Sequence, residues 1–287
     1  MDLCDIREIK ALLARHGFRF SKSMGQNFLI EGWVPQEIAA AAQADGTCGV
    51  LEIGPGIGPL TVQLARRAGR VAAVELDRSL LPILAETLAP FDNVSVIPGD
   101  VMKLDLPALL EEQLPGLTPI ACANLPYNIT TPVLTKLLEC GRFASITVMI
   151  QREVAQRICA APGTGDYGAF SVFCQYHTAP ELLFAVGPEC FLPAPKVTSA
   201  VVRLVPRAEP PQTLVDEAFF FRVVRAAFAQ RRKTLLNGLS AAFGAQLDKD
   251  ALRGVLQRAG LDESIRGERL SIEAFARLAA ELQGALI

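Results

Sequence analysis

The sequence predicts an α/β protein in which a mostly parallel, doubly wound sheet is followed by a small C-terminal α-helical domain. Three observations predict it. Between residues 48 and 150, short apolar runs alternate with helical patterns, as crossovers between parallel strands require. The first run ends at Gly54-Pro55-Gly56-Ile57-Gly58, a glycine turn that opens a helix. Beyond Pro206–Gln212, a segment with three prolines that suits a linker, the periodicity is wholly helical. With 287 residues, 51% of them hydrophobic and 20% charged, the chain can bury a large core, which excludes a disordered protein.

Taken in order, residues 1–47 read as two helices around a loop. The first carries Asp2, Asp5, Arg7, Glu8 and Lys10 among its leucines, unlike the apolar centre of a signal peptide. No run of about 18 apolar residues follows, so no membrane span and a cytoplasmic location are expected. The loop Gly17–Leu29 interleaves aromatic and basic residues, which fits either a solvated loop or a nucleic-acid contact. Cys48–Ile53 is the first buried strand, and Pro59 opens the helix Leu60–Ala68, where its missing amide is harmless. Arg70–Val74 is the second strand, ending at Glu75-Leu76-Asp77, and a helix runs from there to about Ala89. Val94–Ile97 ends at Gly99-Asp100, Ile120–Ala123 ends at Asn124, and Ile146–Ile150 is a fifth strand. After the helix Glu153–Ala160, the composition of 161–168 suggests a flexible loop. Glu181–Val186 and Val197–Val205 are joined by too few residues for a crossover helix, so they are expected to be antiparallel. Helices are expected over 214–229, 231–243, 249–259 and 271–283. The domains are therefore set at 1–205, with 1–47 as a helical cover, and 206–287.

Net charge is -2, so any nucleic-acid partner must be held by local patches rather than by a global positive field. One such stretch is Arg222, Arg225, Arg231, Arg232 and Lys233, with no acid between them. A solvated helix face and phosphate contact both fit it. Seven cysteines contain no CxxC pair and suit a reducing compartment. The two histidines, His16 and His177, are too far apart to suggest a zinc site, and no metal is expected.

The glycine turn lets a backbone approach a ligand closely. A dinucleotide fingerprint would need a small residue at 59, where Pro59 stands, and a P-loop would need a lysine that 54–70 lacks. Glu75, at a strand end about 20 residues beyond Gly54, has the position of an acid that binds ribose hydroxyls. Asp100, at the next strand end, can accept a hydrogen bond from an adenine amine. Together these describe S-adenosylmethionine. In Asn124-Leu125-Pro126-Tyr127 a carboxamide beside a stiff turn can accept from an amine, and a tyrosine can stack on a flat ring. Read alone, the four residues favour an ordinary turn, since Asn and Pro are common turn residues.

Gly25-Gln26-Asn27-Phe28-Leu29, Glu52-Ile53-Gly54-Pro55-Gly56-Ile57-Gly58, Asn124-Leu125-Pro126-Tyr127 and Phe191-x-Pro-x-Pro-Lys196-Val197-x-Ser199 occur in order. With these motifs the chain resembles the adenine-N6 rRNA dimethyltransferases. Leu125, Pro55 and the segment Ala227-Phe228-x-Gln230-Arg231-Arg232-Lys233-Thr234-Leu235-x-Asn237 resemble the small-subunit branch (KsgA/RsmA type) more than the large-subunit branch (Erm type). Phe170, where leucine is more usual, departs from the pattern.

The resemblance implies a Rossmann-like class I methyltransferase fold and a C-terminal helical domain that binds rRNA. Asn27, Leu29, Gly54, Glu75, Asp100 and Asn124 would hold S-adenosylmethionine. Asn124, Leu125, Pro126 and Tyr127 would form the catalytic tetrad. Within it the Asn124 amide oxygen and the Leu125 carbonyl would accept the two N–H bonds of a target adenine. Tyr127 and Phe191 would stack on that base, and Arg231, Arg232 and Lys233 would contact 16S rRNA. The implied reaction is dimethylation of two adjacent adenines in the 3′-terminal hairpin during small-subunit maturation, by a monomer. Large-subunit methylation, or a binding role in small-subunit assembly with catalysis secondary, would share most of these features.

Overall fold

The structure, a computed structural model, describes residues 1–20, 25–209, 216–230 and 232–286. Arg231, Ser21–Met24 of the amino-terminal loop, and residues 210–215, which include the end of the expected linker, lie outside the described residues.

The chain runs α1 (Ile6–Arg15), β1 (Phe28–Leu29), α2 (Trp33–Ala41), β2 (Cys48–Ile53), α3 (Pro59–Ala65), β3 (Arg70–Glu75), α4 (Leu81–Thr87), β4 (Val94–Pro98) and α5 (Leu106–Gln113). It continues through β5 (Thr118–Asn124), α6 (Thr130–Cys140), β6 (Ile146–Gln151), α7 (Arg152–Cys159), α8 (Ala169–His177), β7 (Thr178–Val186), β8 (Phe191–Leu192) and β9 (Ser199–Pro206). Four helices close it: α9 (Glu217–Ala229), α10 (Leu235–Phe243), α11 (Lys249–Arg258) and α12 (Ile272–Leu286).

Two compact units form. The first takes Met1–Ala155 and Pro180–Pro206, and the second takes Gln156–Ala179 and Arg207–Ile287. The helical unit thus begins earlier than a boundary at 205/206 would put it. Its core joins Tyr167 and Val172 to Phe220, Val224, Leu239, Val255 and Phe275. α8 is an element beyond those expected from the sequence; it buries Ser171, Val172, Cys174 and Tyr176, a mixed set with no simple apolar stripe. The expected flexible loop 161–168 is pinned within this unit, because Tyr167 is fully buried and packs edge-on against Phe228 at 6.0 Å.

In the first unit a seven-stranded sheet has the order β4-β3-β2-β5-β6-β9-β7. β4, β3, β2, β5 and β6 are mutually parallel, and β9 joins β6 antiparallel. Chain order runs outward from β2 through β3 and β4 on one side, then from β5 through β6 on the other. The carboxyl ends of β2 and β5 therefore flank a topological switch point, where open α/β sheets leave a crevice. β2 is buried along its whole length, as a central parallel strand should be, yet its fifth residue is Glu52. A separate two-stranded pairing joins β1 to β8, with Leu29 opposite Phe191. It ties the amino-terminal loop to the proline-rich loop, a long-range link that neither dipeptide signals by itself.

Candidate active site

A cavity opens at the switch point. Residues that line it include Asn27, Leu29, Gly54, Glu75, Asp100, Asn124, Leu125, Pro126, Tyr127 and Phe191. One concave surface thus gathers every cofactor and tetrad position expected from the sequence. Arg232 and Lys233 belong to the helical unit, where both are described, and Arg231 lies outside the described residues.

The glycine turn follows β2 because the chain must reverse in little space. Gly54, Gly56 and Gly58 have φ of 69, 63 and 98°, a left-handed region that favours glycine. A Cβ on Gly56 would stand 3.3 Å from the Phe28 ring, so the turn and the amino-terminal loop are fitted to each other. Pro59 occupies the first turn of α3, as its fixed φ favours.

Glu75 ends β3 with 5% of its surface exposed. Its Oε1 accepts from the Asp77 amide at 2.7 Å, and its Oε2 accepts from Gly56 at 3.4 Å. Burial pushes its carboxyl above the ordinary value, against the pull of the Asp77 and Gly56 amides. Asp100 closes the loop after β4 and accepts from the Met102 amide at 2.9 Å. Lys136 of α6 secures that loop by donating to the carbonyls of Met102, at 2.9 Å, and Leu104, at 2.6 Å.

At the end of β5, Asn124 pairs in register with Met149, and the Leu125 amide donates to the Met149 carbonyl at 3.1 Å. The Pro126 carbonyl accepts from the Ile129 amide and the Thr130 hydroxyl, both at 3.2 Å, which fixes the turn after the tetrad. Tyr127 is half-buried, and its hydroxyl lies 2.7 Å from the Ser199 hydroxyl. Phe191 differs from an open stacking platform. It is 3% exposed and packs in the core that includes Leu29, Val186 and Cys190, so it reaches the cavity as part of the wall.

Several lining residues went unassigned from sequence. Glu52 is buried beside the turn, and neither its Oε2 nor the nearby Thr61 hydroxyl finds a hydrogen-bond partner. Burial pushes the Glu52 carboxyl up to about 8, and the Glu75 charge adds to that push. A charged residue inside an otherwise apolar strand was the signal that could have found it. Gln26 donates to Asp77 at 2.6 Å, joining the amino-terminal loop to the acidic end of β3. Leu76 and Val101 supply apolar surface next to Glu75 and Asp100.

The arrangement suits an adenosyl group extended by a cationic amino acid. Glu75 offers a carboxylate for a ribose diol, Asp100 an acceptor for an adenine amine, and Leu76 and Val101 apolar walls for a flat ring. The glycine turn, which a Cβ at Gly56 would crowd, leaves room for the remaining chain of the ligand. The unpartnered Glu52 oxygen is a further polar group on that side.

A model of the family described as ribosomal RNA adenine dimethylase matches residues 17–283. Ribosomal RNA small subunit methyltransferase A of Geobacillus kaustophilus (strain HTA426) is 47% identical over 284 residues, covering 98% of this chain and 97% of the relative. The protein of the same name from Streptococcus pneumoniae (strain JJA) is 47% identical over 287 residues, covering 99% of each. Among solved structures, a dimethyladenosine transferase from Plasmodium falciparum aligns with a TM-score of 0.77 at 25% identity. That alignment covers 90% of this chain and 98% of the other. The 23S rRNA methyltransferase ErmE aligns with a TM-score of 0.67 at 27% identity, over 90% of this chain and 100% of the other. With the family model matched almost from end to end, and relatives this similar over nearly their full length, the chain belongs to the ribosomal RNA adenine dimethylase family.

Proposed function

We propose that this protein dimethylates the N6 amines of two adjacent adenines in the 3′-terminal hairpin of 16S rRNA, using S-adenosylmethionine, while the small subunit matures. The observation that carries the reading is the convergence of Asn124 with Gly54, Glu75 and Asp100 on one cavity. In this reading Asn27 and Leu29 close over the cofactor, Gly54 approaches its methionine portion, and Glu75 and Asp100 take the ribose and adenine. When bound, the cofactor supplies an electrophilic methyl on a sulfonium sulfur.

The chain's own work is to make a poor nucleophile react. The adenine amine lends its lone pair to the ring, so it attacks only when held out of that conjugation. The Asn124 side-chain oxygen and the Leu125 carbonyl accept its two N–H bonds, favouring a pyramidal nitrogen with its lone pair directed at the methyl. With the cofactor bound, the amine held by Asn124 and Leu125 would take its methyl group, the S–C bond breaking as the N–C bond forms, and would release its surplus proton to water. Positioning of this kind supplies most of the rate without a strong base. Tyr127 stacks on the flipped base, worth about 1–3 kcal/mol, and Phe191 backs it from the cavity wall. Arg231, Arg232 and Lys233 contact rRNA phosphates. The protein acts as a cytoplasmic monomer on the small subunit or its precursor.

The likeness to ErmE keeps large-subunit methylation as a second reading. Purified protein with labelled cofactor on undermethylated small and large subunits separates the two. Label in N6,N6-dimethyladenine of 16S rRNA is expected, and label confined to 23S rRNA would overturn the first reading.

A further inference from the structure

We infer that Ser199 is a positioning residue whose hydroxyl holds the Tyr127 ring at the angle a monomethylated adenine needs for its second methyl group. The inference rests on the function proposed above and deepens it. Ser199 is the first residue of β9 and is fully buried, where the antiparallel register sets it opposite Gln151 at the end of β6. Its neighbour Thr198 accepts from the Arg152 amide at 3.0 Å, so the backbone that carries it is fixed. The Tyr127 hydroxyl lies 2.7 Å from the Ser199 hydroxyl, and either oxygen can donate.

Tyr127 is therefore tethered at both ends. Its backbone sits in the turn after β5, and its hydroxyl is tied to β9. A phenol at that distance from serine is engaged with protein rather than offered to the substrate. The part left for the base is the ring face, and the tether decides how that face is inclined.

The two methyl transfers do not depend on this equally. An unmethylated amine presents two N–H bonds, and the Asn124 oxygen and Leu125 carbonyl together fix its plane. After one transfer a single N–H remains, so the base can pivot about one hydrogen bond. Stacking then carries more of the orientation, and a ring free to swing loses more of the second transfer than of the first.

Time courses on undermethylated small subunits, with the nucleosides separated, test this using Ser199→Ala, Tyr127→Phe and the double variant. Loss of one hydrogen bond of ordinary strength predicts that the ratio of monomethyl to dimethyl product at equal total transfer rises about tenfold in each single variant. The double variant should rise no further, because both changes remove the same bond. Cofactor affinity by calorimetry should stay within about twofold in all three. An unchanged product ratio, or single effects that multiply in the double variant, would overturn the inference. Should Ser199→Ala fail to fold, the product ratio of Tyr127→Phe decides alone. Tyr127→Ala separates the site from its tether. Undiminished methylation by it would sink the proposed site itself. Its loss of transfer beside normal product ratios in Ser199→Ala and Tyr127→Phe would sink only the tether.

Discussion

Glu52 shows how a single residue can report a site. It sits inside β2 with its Oε2 unpartnered, and burial pushes its carboxyl up to about 8 from 4.5. The folded state therefore keeps the Glu52 proton to higher pH than the unfolded chain, which releases it near 4.5. Because the folded state binds more protons over this range, its stability falls as pH rises. Relative to acid, where both states are protonated, the contribution is fully present below about 4.5 and is lost as pH climbs towards about 8. Glu52→Gln cannot ionise, so it should gain on the wild type by roughly 3–4 kcal/mol between pH 5 and 8, each tenfold difference in proton affinity being worth about 1.4 kcal/mol. Thermal unfolding of the ligand-free protein across that range checks it, and a difference between the two that does not vary with pH would contradict it. The residue was visible in the sequence as a charge in a buried run. Its environment was not, because burial depends on α3 and on Glu75, which the chain brings in from elsewhere.

Elements were legible where their signals were local. β2, β3, β4, β5 and β6 are apolar runs bounded by turn residues, and each lies within two residues of its expected span at either end, with Asn124 in place at the end of β5. The expected fourth strand began two residues late, since Thr118 and Pro119 are paired with β2 although neither belongs to the apolar run. β1 and β8 were illegible for the opposite reason: two residues each, they exist only because the proline-rich loop meets the amino-terminal loop. That pairing brings Phe28 against the glycine turn and makes the turn intolerant of a side chain. Gly56→Ala should combine a left-handed strain of roughly 1–2 kcal/mol with pressure on the Phe28 ring. The expected outcome is cofactor binding weakened at least tenfold, read by calorimetry. Binding at wild-type strength would mean that the turn does not approach the ligand.

At the scale of the whole chain there are two units, one gathering the proposed cofactor and base positions, the other carrying the arginine-rich stretch. Its charges are not equivalent. The Arg222 guanidinium lies 4.5 Å over the Phe243 ring, held by aromatic packing within the helical unit. Arg232 and Lys233 are exposed, as a phosphate contact requires. Replacing both by alanine should weaken subunit binding at every salt concentration and reduce the slope of log affinity against log salt by about 1.5–2. An unaltered slope would remove them from the interface. Sequence placed the boundary between units at a proline-rich linker but missed that 156–179 fold with the helical unit. Tyr167, Val172 and Tyr176 of that segment pack in one core with residues from Phe220 onward, which no local pattern announces.

The proposed chemistry turns on Asn124 holding an adenine amine against a methyl donor. Labelled methyl transfer to undermethylated small subunits, by the wild type and by Asn124→Ala, measures this when cofactor affinity is determined on the same preparations. Transfer should fall at least a hundredfold while affinity falls by no more than about tenfold, since the lost contacts act mainly on the reacting nitrogen. Wild-type transfer by the folded variant would mean that Asn124 does not hold the amine.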